Sequence, residues 1–169
     1  MSKEISINIF DTESIENAIS ELDAYKKEIE TKRDKLVSEL ANMGASNISA
    51  GFNESVPDGN YDVSVAVEPN VVTDGKATIK ANGKSALFIE FGTGVKYFDN
   101  KEARGDLLTP VSARGTYGKG KGSNPKGWFY SHNGYKVRTF GYPSQTPMYN
   151  GKKYIIANIK NKAREVFDD

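Results

Sequence analysis

Ser85-Ala86-Leu87-Phe88-Ile89-Glu90-Phe91-Gly92-Thr93-Gly94 is the densest apolar run of the chain, and one carboxylate, Glu90, interrupts it. Turn chemistry bounds the run, with Asn82-Gly83 before it and Gly92 and Gly94 at its end. Such a run reads as a short buried element, helix or strand, which periodicity alone does not separate. The two glycines release the backbone for a sharp turn. A carboxylate inside apolar sequence has to be paired or hydrogen-bonded if it stays charged. Glu90 is therefore expected to be buried or half-buried against a basic group or backbone N–H groups.

Upstream, Asp62–Val67 alternates, with Val63, Val65 and Val67 on one face, and Lys76–Ala81 carries Ile79 between the turns Asp74-Gly75 and Asn82-Gly83. The two runs predict a pair of strands. Residues 45–60 are rich in Asn, Ser and Gly and include the turn Pro57-Asp58-Gly59-Asn60. Before them, Asp11 suits a helix N-cap, Phe10 and Ile15 stand at the positions of a hydrophobic staple, and Glu13 and Glu16 favour the first turns. Gly44 is the expected stop, giving a helix of about 33 residues and roughly 50 Å. Its apolar stripe, Ile15, Leu22, Ile29, Leu36 and Met43, recurs every seventh residue. The companion positions Ile19, Lys26, Arg33 and Leu40 are apolar only at the ends, whereas a coiled coil wants both sets apolar. A stripe this narrow fits a helix laid along a sheet or a neighbouring subunit, and equally a long amphipathic helix on its own core. Ile5, Ile7 and Ile9 alternate with polar residues, the period of a half-buried strand.

Downstream, Trp128–Ser131 and Tyr135–Phe140 flank Asn133-Gly134, a strong hairpin signal. Pro143 and Pro147 then punctuate the approach to a helix expected from about Tyr149 to Phe167, with Tyr154, Ile155, Ile159, Ala163 and Val166 on its apolar side. Lys160, Lys162 and Arg164 suit its C-terminal end. The whole reads as one α+β domain, residues 1–169, in which a long N-terminal helix and a C-terminal helix pack on a small, mainly antiparallel sheet.

Residues 95–127 stand apart as a long loop, with six glycines and seven Lys/Arg against three Asp/Glu. Loops of this length are uncommon in compact domains unless functional or disordered. Gly115-Thr116-Tyr117-Gly118-Lys119-Gly120-Lys121-Gly122 nearly spells a phosphate-binding loop, but Gly122 stands where a hydroxyl would hold magnesium and Ser123-Asn124-Pro125 opens no helix. That argues against a nucleotide. A basic Gly-rich loop near Tyr117 and Trp128 could instead touch nucleic-acid backbone, and a mobile, solvated loop is the plainer reading.

The chain of 169 residues is long enough to bury a core and has no cysteine, which removes disulfides, thiolate metal sites and a cysteine nucleophile. His132 is the only histidine. The usual zinc sites and a Ser-His-Asp arrangement therefore have no support, and no enzyme and no cofactor are expected. Nor does an apolar run approach membrane-spanning length, so neither a signal peptide nor a membrane association is expected.

Ala86–Gly94 resembles the E-F-G-T signature of a family of tailed-bacteriophage minor tail proteins, the neck or tail-completion proteins of lambda-like phages and related prophages. The matching residues are Glu90, Phe91, Gly92, Thr93 and Gly94. Family members carry a long N-terminal helix, a small sheet, this segment, a variable loop and a C-terminal helix entered through a P-F-M-x-x-A motif. Gly141–Tyr149 is similar to that entry, departing where Phe is expected, since Met148 follows Pro147 directly. The resemblance implies a virion structural protein for head–tail joining, made in the host cytoplasm. It further implies a homo-oligomeric ring, commonly six-fold, between the head connector or adaptor and a tail terminator or tube protein. Packaged DNA would pass through the lumen without sequence-specific binding. A different reading is a nucleic-acid-binding module using the loop 95–127.

Net charge is +1 but unevenly spread. Residues 1–94 hold 9 Lys/Arg against 16 Asp/Glu, and residues 95–169 hold 14 against 6, so the parts stand at −7 and +8. In a ring, one surface of each subunit meets a different surface of the next. Opposite charge would orient that contact. The expected participants are Glu21, Glu28 and Asp34 of the long helix against Arg104, Arg114, Lys119 and Lys121 of the loop.

Overall fold

Asp11 caps the first helix as its sequence predicts, its carboxylate accepting the Glu13 amide at 3.1 Å. In the computed structural model, which describes residues 4–55, 62–93, 124, 126–132, 134–141 and 144–168, that helix, α1, runs Thr12–Glu54. Its 43 residues make it ~65 Å long. Gly44 does not stop it. The apolar face continues through Ile48 and Phe52, and burying that face outweighs the weak helix propensity of Asn, Ser and Gly there. Gly44 serves instead as a point of close approach, where an added Cβ would lie 2.4 Å from Cδ1 of Ile155. The staple does not form either, since Phe10 is 93% exposed.

The strand expected from Ile5, Ile7 and Ile9 is also absent. Residues 4–8 take no regular structure, and Ile7 and Ile9 are exposed. A strand needs a neighbouring strand for its N–H and C=O groups, and no described strand pairs with this segment; Asn8 is instead bonded to Ser14 and Asp11 at the start of α1.

β1 (Ser64–Thr73) and β2 (Lys76–Asn82) form an antiparallel ribbon in register from Ser64 opposite Asn82 to Glu68 opposite Thr78. Its tip docks on α1, where the Gly75 amide donates to Oδ1 of Asp34 at 2.7 Å. Next comes α2 (Ala86–Phe91), which settles the central stretch as a helix. β3 (Trp128–His132) and β4 (Tyr135–Thr139) form a second ribbon, with His132 opposite Tyr135 across a two-residue turn. The chain closes with α3, Pro147–Phe167. The fold is thus α+β, with two long helices, two small antiparallel ribbons and a short helix among the described residues.

The core lies at the C-terminal end of α1. Ile48 and Phe52 meet Val63, Ala86 and Ile89, flanked by Val65, Ile79, Ala81 and Met148. Against it α1 and α3 cross closely through glycine on both sides, since a Cβ on Gly151 would fall 2.1 Å from Cγ1 of Ile48. The N-terminal half of α1 stands clear of this core. Ile15, Ile19, Leu22 and Ile29 are exposed there, whereas Leu36 and Met43 are half-buried and Leu40 is buried. Among the described residues the seven-residue stripe is covered chiefly over its last two members, although Ala18 on the outer half is buried.

Gly83 joins β2 to α2 with φ +151, and a Cβ there would sit 2.1 Å from the carbonyl oxygen of Asp62. The obstacle is backbone and cannot rotate away. Gly83→Ala is expected to destabilise the chain by about 1–3 kcal/mol, read from urea unfolding. An unchanged midpoint would show that the β2–α2 joint tolerates displacement.

Candidate functional site

The segment carrying Glu90 and the segment carrying Pro147 meet in one buried junction. α3 starts without a cap of its own. Its N-cap residue, Thr146, lies in the left-handed region (φ 51, ψ 45) and makes no side-chain capping bond. A β-branched residue is strained there, so its neighbours have to hold it. Ser144 donates its hydroxyl to the Glu90 carbonyl at 2.5 Å, and the Gln145 amide donates to the Ile89 carbonyl at 2.9 Å.

Glu90 then supplies the missing cap from another element. Its Oε2 accepts the Met148 amide at 2.8 Å and its Oε1 accepts the Tyr149 amide at 3.1 Å. These are among the first N–H groups of a helix, which have no partner inside it and where the helix dipole favours negative charge. Glu90 is 7% exposed and needs no cation, because both oxygens are satisfied by backbone donors. Gly92 ends α2 at φ 74, a turn that lets the chain leave the junction at once.

A second carboxylate holds the turn that enters α2, just ahead of the helix's own first amides. Asp62 accepts the Lys84 amide at 2.8 Å and the Ser85 amide at 3.0 Å. The Ser85 hydroxyl, then the Ser85 and Lys84 amides, hold Asp62 below the ordinary carboxylate range. Sequence reading missed this role. The available signal was an acidic residue standing just before a strand whose return leads to a helix start.

The two carboxylates respond to acid in opposite senses. Burial pushes the Glu90 pKa above its ordinary 4.5, outweighing the two amides that lower it. The folded chain therefore holds the Glu90 proton more tightly than the unfolded chain does. The stability this contributes is fully present below about pH 4.5 and lost as pH rises through the folded value. Asp62, with its pKa lowered, contributes stability above its unfolded pKa that is lost as pH falls. Comparing wild type with Glu90→Gln isolates the first effect. The stability advantage of wild type is expected to grow from pH 7 down to about pH 4.5 and then level off. An advantage that shrinks over the same range would reverse the assignment.

The described surface is apolar in several places. The outer half of α1 carries Ile15, Ile19, Leu22 and Ile29; α2 carries Leu87 and Phe88 beside Glu90; the β3–β4 ribbon carries Phe129 and Tyr135; and α3 carries Ile156 and Ile159, all exposed. A two-stranded ribbon is marginal by itself, and β3–β4 leaves these aromatic residues exposed. Beside it Arg138 reaches the Lys126 carbonyl at 2.7 Å and lies over the Phe140 ring at 5.2 Å.

Of the residues expected at subunit contacts, Glu21 is exposed on the outer half of α1. Glu28 faces Lys32 of the same helix at 3.4 Å. Asp34 is engaged within the chain, by the Gly75 amide and by Arg33 at 2.8 Å. Arg104, Arg114, Lys119, Lys121 and Gly94 lie outside the described residues, as does most of the expected loop 95–127. Pro147 and Met148 form the first turn of α3, with Pro147 buried and Met148 beside the core. Among the described residues no three His, Cys, Asp or Glu side chains are grouped to hold a metal ion, and no helix is long and apolar enough to cross a membrane.

No protein-family model matches this chain, and no curated protein or solved structure matches it.

Proposed function

We propose that this chain is a structural, non-catalytic subunit of a tailed-phage or prophage neck, assembling as a ring between the head connector and the tail. The observation that carries the reading is the Glu90 junction. The two short motifs that resemble the neck-protein family, Glu90–Gly94 and the segment entering at Pro147, are the two sides of one hydrogen-bonded contact. A cap delivered across 58 residues of sequence gives each motif a physical reason to accompany the other. The exposed apolar residues on α1, β3–β4 and α3 are further support, because a subunit that works in an assembly leaves such surfaces for its neighbours. In this reading the virion is the location and packaged DNA passes through the lumen.

Native mass and electron microscopy of the purified chain, alone and mixed with a head connector, test it. A closed ring with a central channel is the expected result. A monomer in both conditions would overturn it. Tight DNA binding by the monomer, falling steeply with salt, would favour the nucleic-acid-binding reading instead.

A further inference from the structure

The outer edge of β1 opens onto a groove that runs between this strand and α1. Consecutive strand residues Val65, Ala66 and Val67 line one side, and Asn42, Ser46 and Ser49 of α1 are among the small side chains lining the other. Lining by consecutive residues means that the groove follows the strand edge rather than one face, because successive side chains point to opposite faces. No β2 residue lines it, and no described strand pairs with this edge. Alternate N–H and C=O groups of β1 therefore point into an open channel, with a floor of small side chains that leaves room for larger ones. Regular pairing of β1 covers Ser64–Glu68, five residues, before the register shifts.

The chain also contains a strand-patterned segment outside any sheet. Glu4–Ile7 takes no regular structure, and on pairing as a strand it would turn Ile5 and Ile7 to one side. The Asn8 amide and carbonyl that follow are held by the Ser14 hydroxyl and the Asp11 amide. The segment cannot reach its own groove. Ser38, the nearest groove residue of α1, lies 26 residues beyond Thr12, or ~39 Å along the axis. The seven residues from Ile5 to Asp11 span at most ~25 Å when fully extended. The groove of another copy has no such limit.

We infer that Glu4–Ile7 of one copy adds as a strand to the edge of β1 in a second copy, with Ile5 and Ile7 turned into the groove above Ser46 and Ser49. Strand addition satisfies the backbone groups of both segments at once and lets alternate side chains set the register. It brings the exposed outer half of α1 onto the receiving copy, covering Ile15, Ile19 and Leu22 as well. The contact joins two different surfaces, so repetition gives a ring or a filament and reciprocal exchange gives a dimer. It therefore does not depend on the neck reading.

The natural chain has no cysteine, so introduced thiols are the only ones present. Ser6→Cys protein mixed with Ala66→Cys protein under mild oxidation is expected to form a mixed disulfide, with Glu4→Cys covering the alternative register. The yield should exceed that of Ser6→Cys with Lys160→Cys, on the exposed side of α3, by at least about tenfold, as cross-strand neighbours are close enough to bridge. Removing residues 1–10 should weaken self-association at least about tenfold. A synthetic peptide of residues 2–10 should bind the truncated protein, and its Ile7→Asp counterpart should not. Control-level crosslinking for both Ser6 and Glu4 would overturn the inference, and so would a truncated chain that associates normally. A disulfide within a dilute single chain carrying both thiols would overturn it as well. The two proposals separate cleanly: crosslinked closed dimers keep the strand exchange and remove the ring, whereas rings that survive truncation do the reverse.

Discussion

Phe52→Ala is expected to cost about 3–5 kcal/mol, the largest loss available to a single side chain here. Phe52 is fully buried, the one large side chain so enclosed among the described residues, and it fills the space between α1, the start of β1 and α2. Few side chains share the core, so the remainder has little material with which to close a phenyl-sized hole. Domains of this size hold roughly 5–15 kcal/mol in total, and the variant is expected to be partly unfolded at 37 °C. Circular dichroism in urea is the appropriate measure. Trp128 sits on the β3–β4 ribbon, outside the core cluster, and its fluorescence would report that ribbon instead. Phe52→Leu should recover most of the loss. A cost below about 1 kcal/mol for Phe52→Ala would mean that the neighbours collapse freely, contrary to the close packing expected of a protein interior.

Glu90→Ala is expected to cost about 1–3 kcal/mol, because it leaves the Met148 and Tyr149 amides buried without an acceptor. The loss should be concentrated in one place. Hydrogen exchange at these two amides and through the first turn of α3 should accelerate, while the β1–β2 ribbon keeps its protection. Glu90→Asp, one methylene shorter, should retain the charge but recover only part of the stability. Unchanged exchange at Met148 and Tyr149 would show that the cap is dispensable.

The parts of this fold that could be read in the sequence are those governed by local chemistry. Asp11 as a helix cap, the β3–β4 hairpin signalled by Asn133-Gly134 and the Asp74-Gly75 turn each follow from a few adjacent residues; the cap, the pairing of β3 with β4 and the Asp74-Gly75 turn form. The α+β class followed from the same elements. Glu90 was legible in kind, as a carboxylate that must be satisfied. Its partners were not, because the Met148 and Tyr149 amides look like any others in sequence and become acceptable donors only when Thr146 starts a helix without its own cap.

The failures share a cause. Gly44 carries the local signature of a helix stop, and the same absence of a side chain is what α3 uses to approach. One residue type serves both purposes, and only the partner helix distinguishes them. Ile5, Ile7 and Ile9 have the period of a strand, but period describes a face and says nothing of whether an edge is available. The opposed net charges of the two parts of the sequence likewise give no position in space, and Asp34 is already used by the tip of its own β1–β2 ribbon.

The docking of the β1–β2 ribbon on α1 has a mechanical consequence. From Asp34, which the ribbon tip holds, 22 residues of α1 run out to Thr12, an arm of ~33 Å. Turning that arm by ~10° would carry its tip through ~6 Å, as 1.5 Å of rise per residue accumulates along a stiff rod. A small tilt at the ribbon tip thus becomes a displacement wider than the spacing between neighbouring strands. The Asp34–Gly75 contact, itself a single hydrogen bond, helps set the aim of the arm.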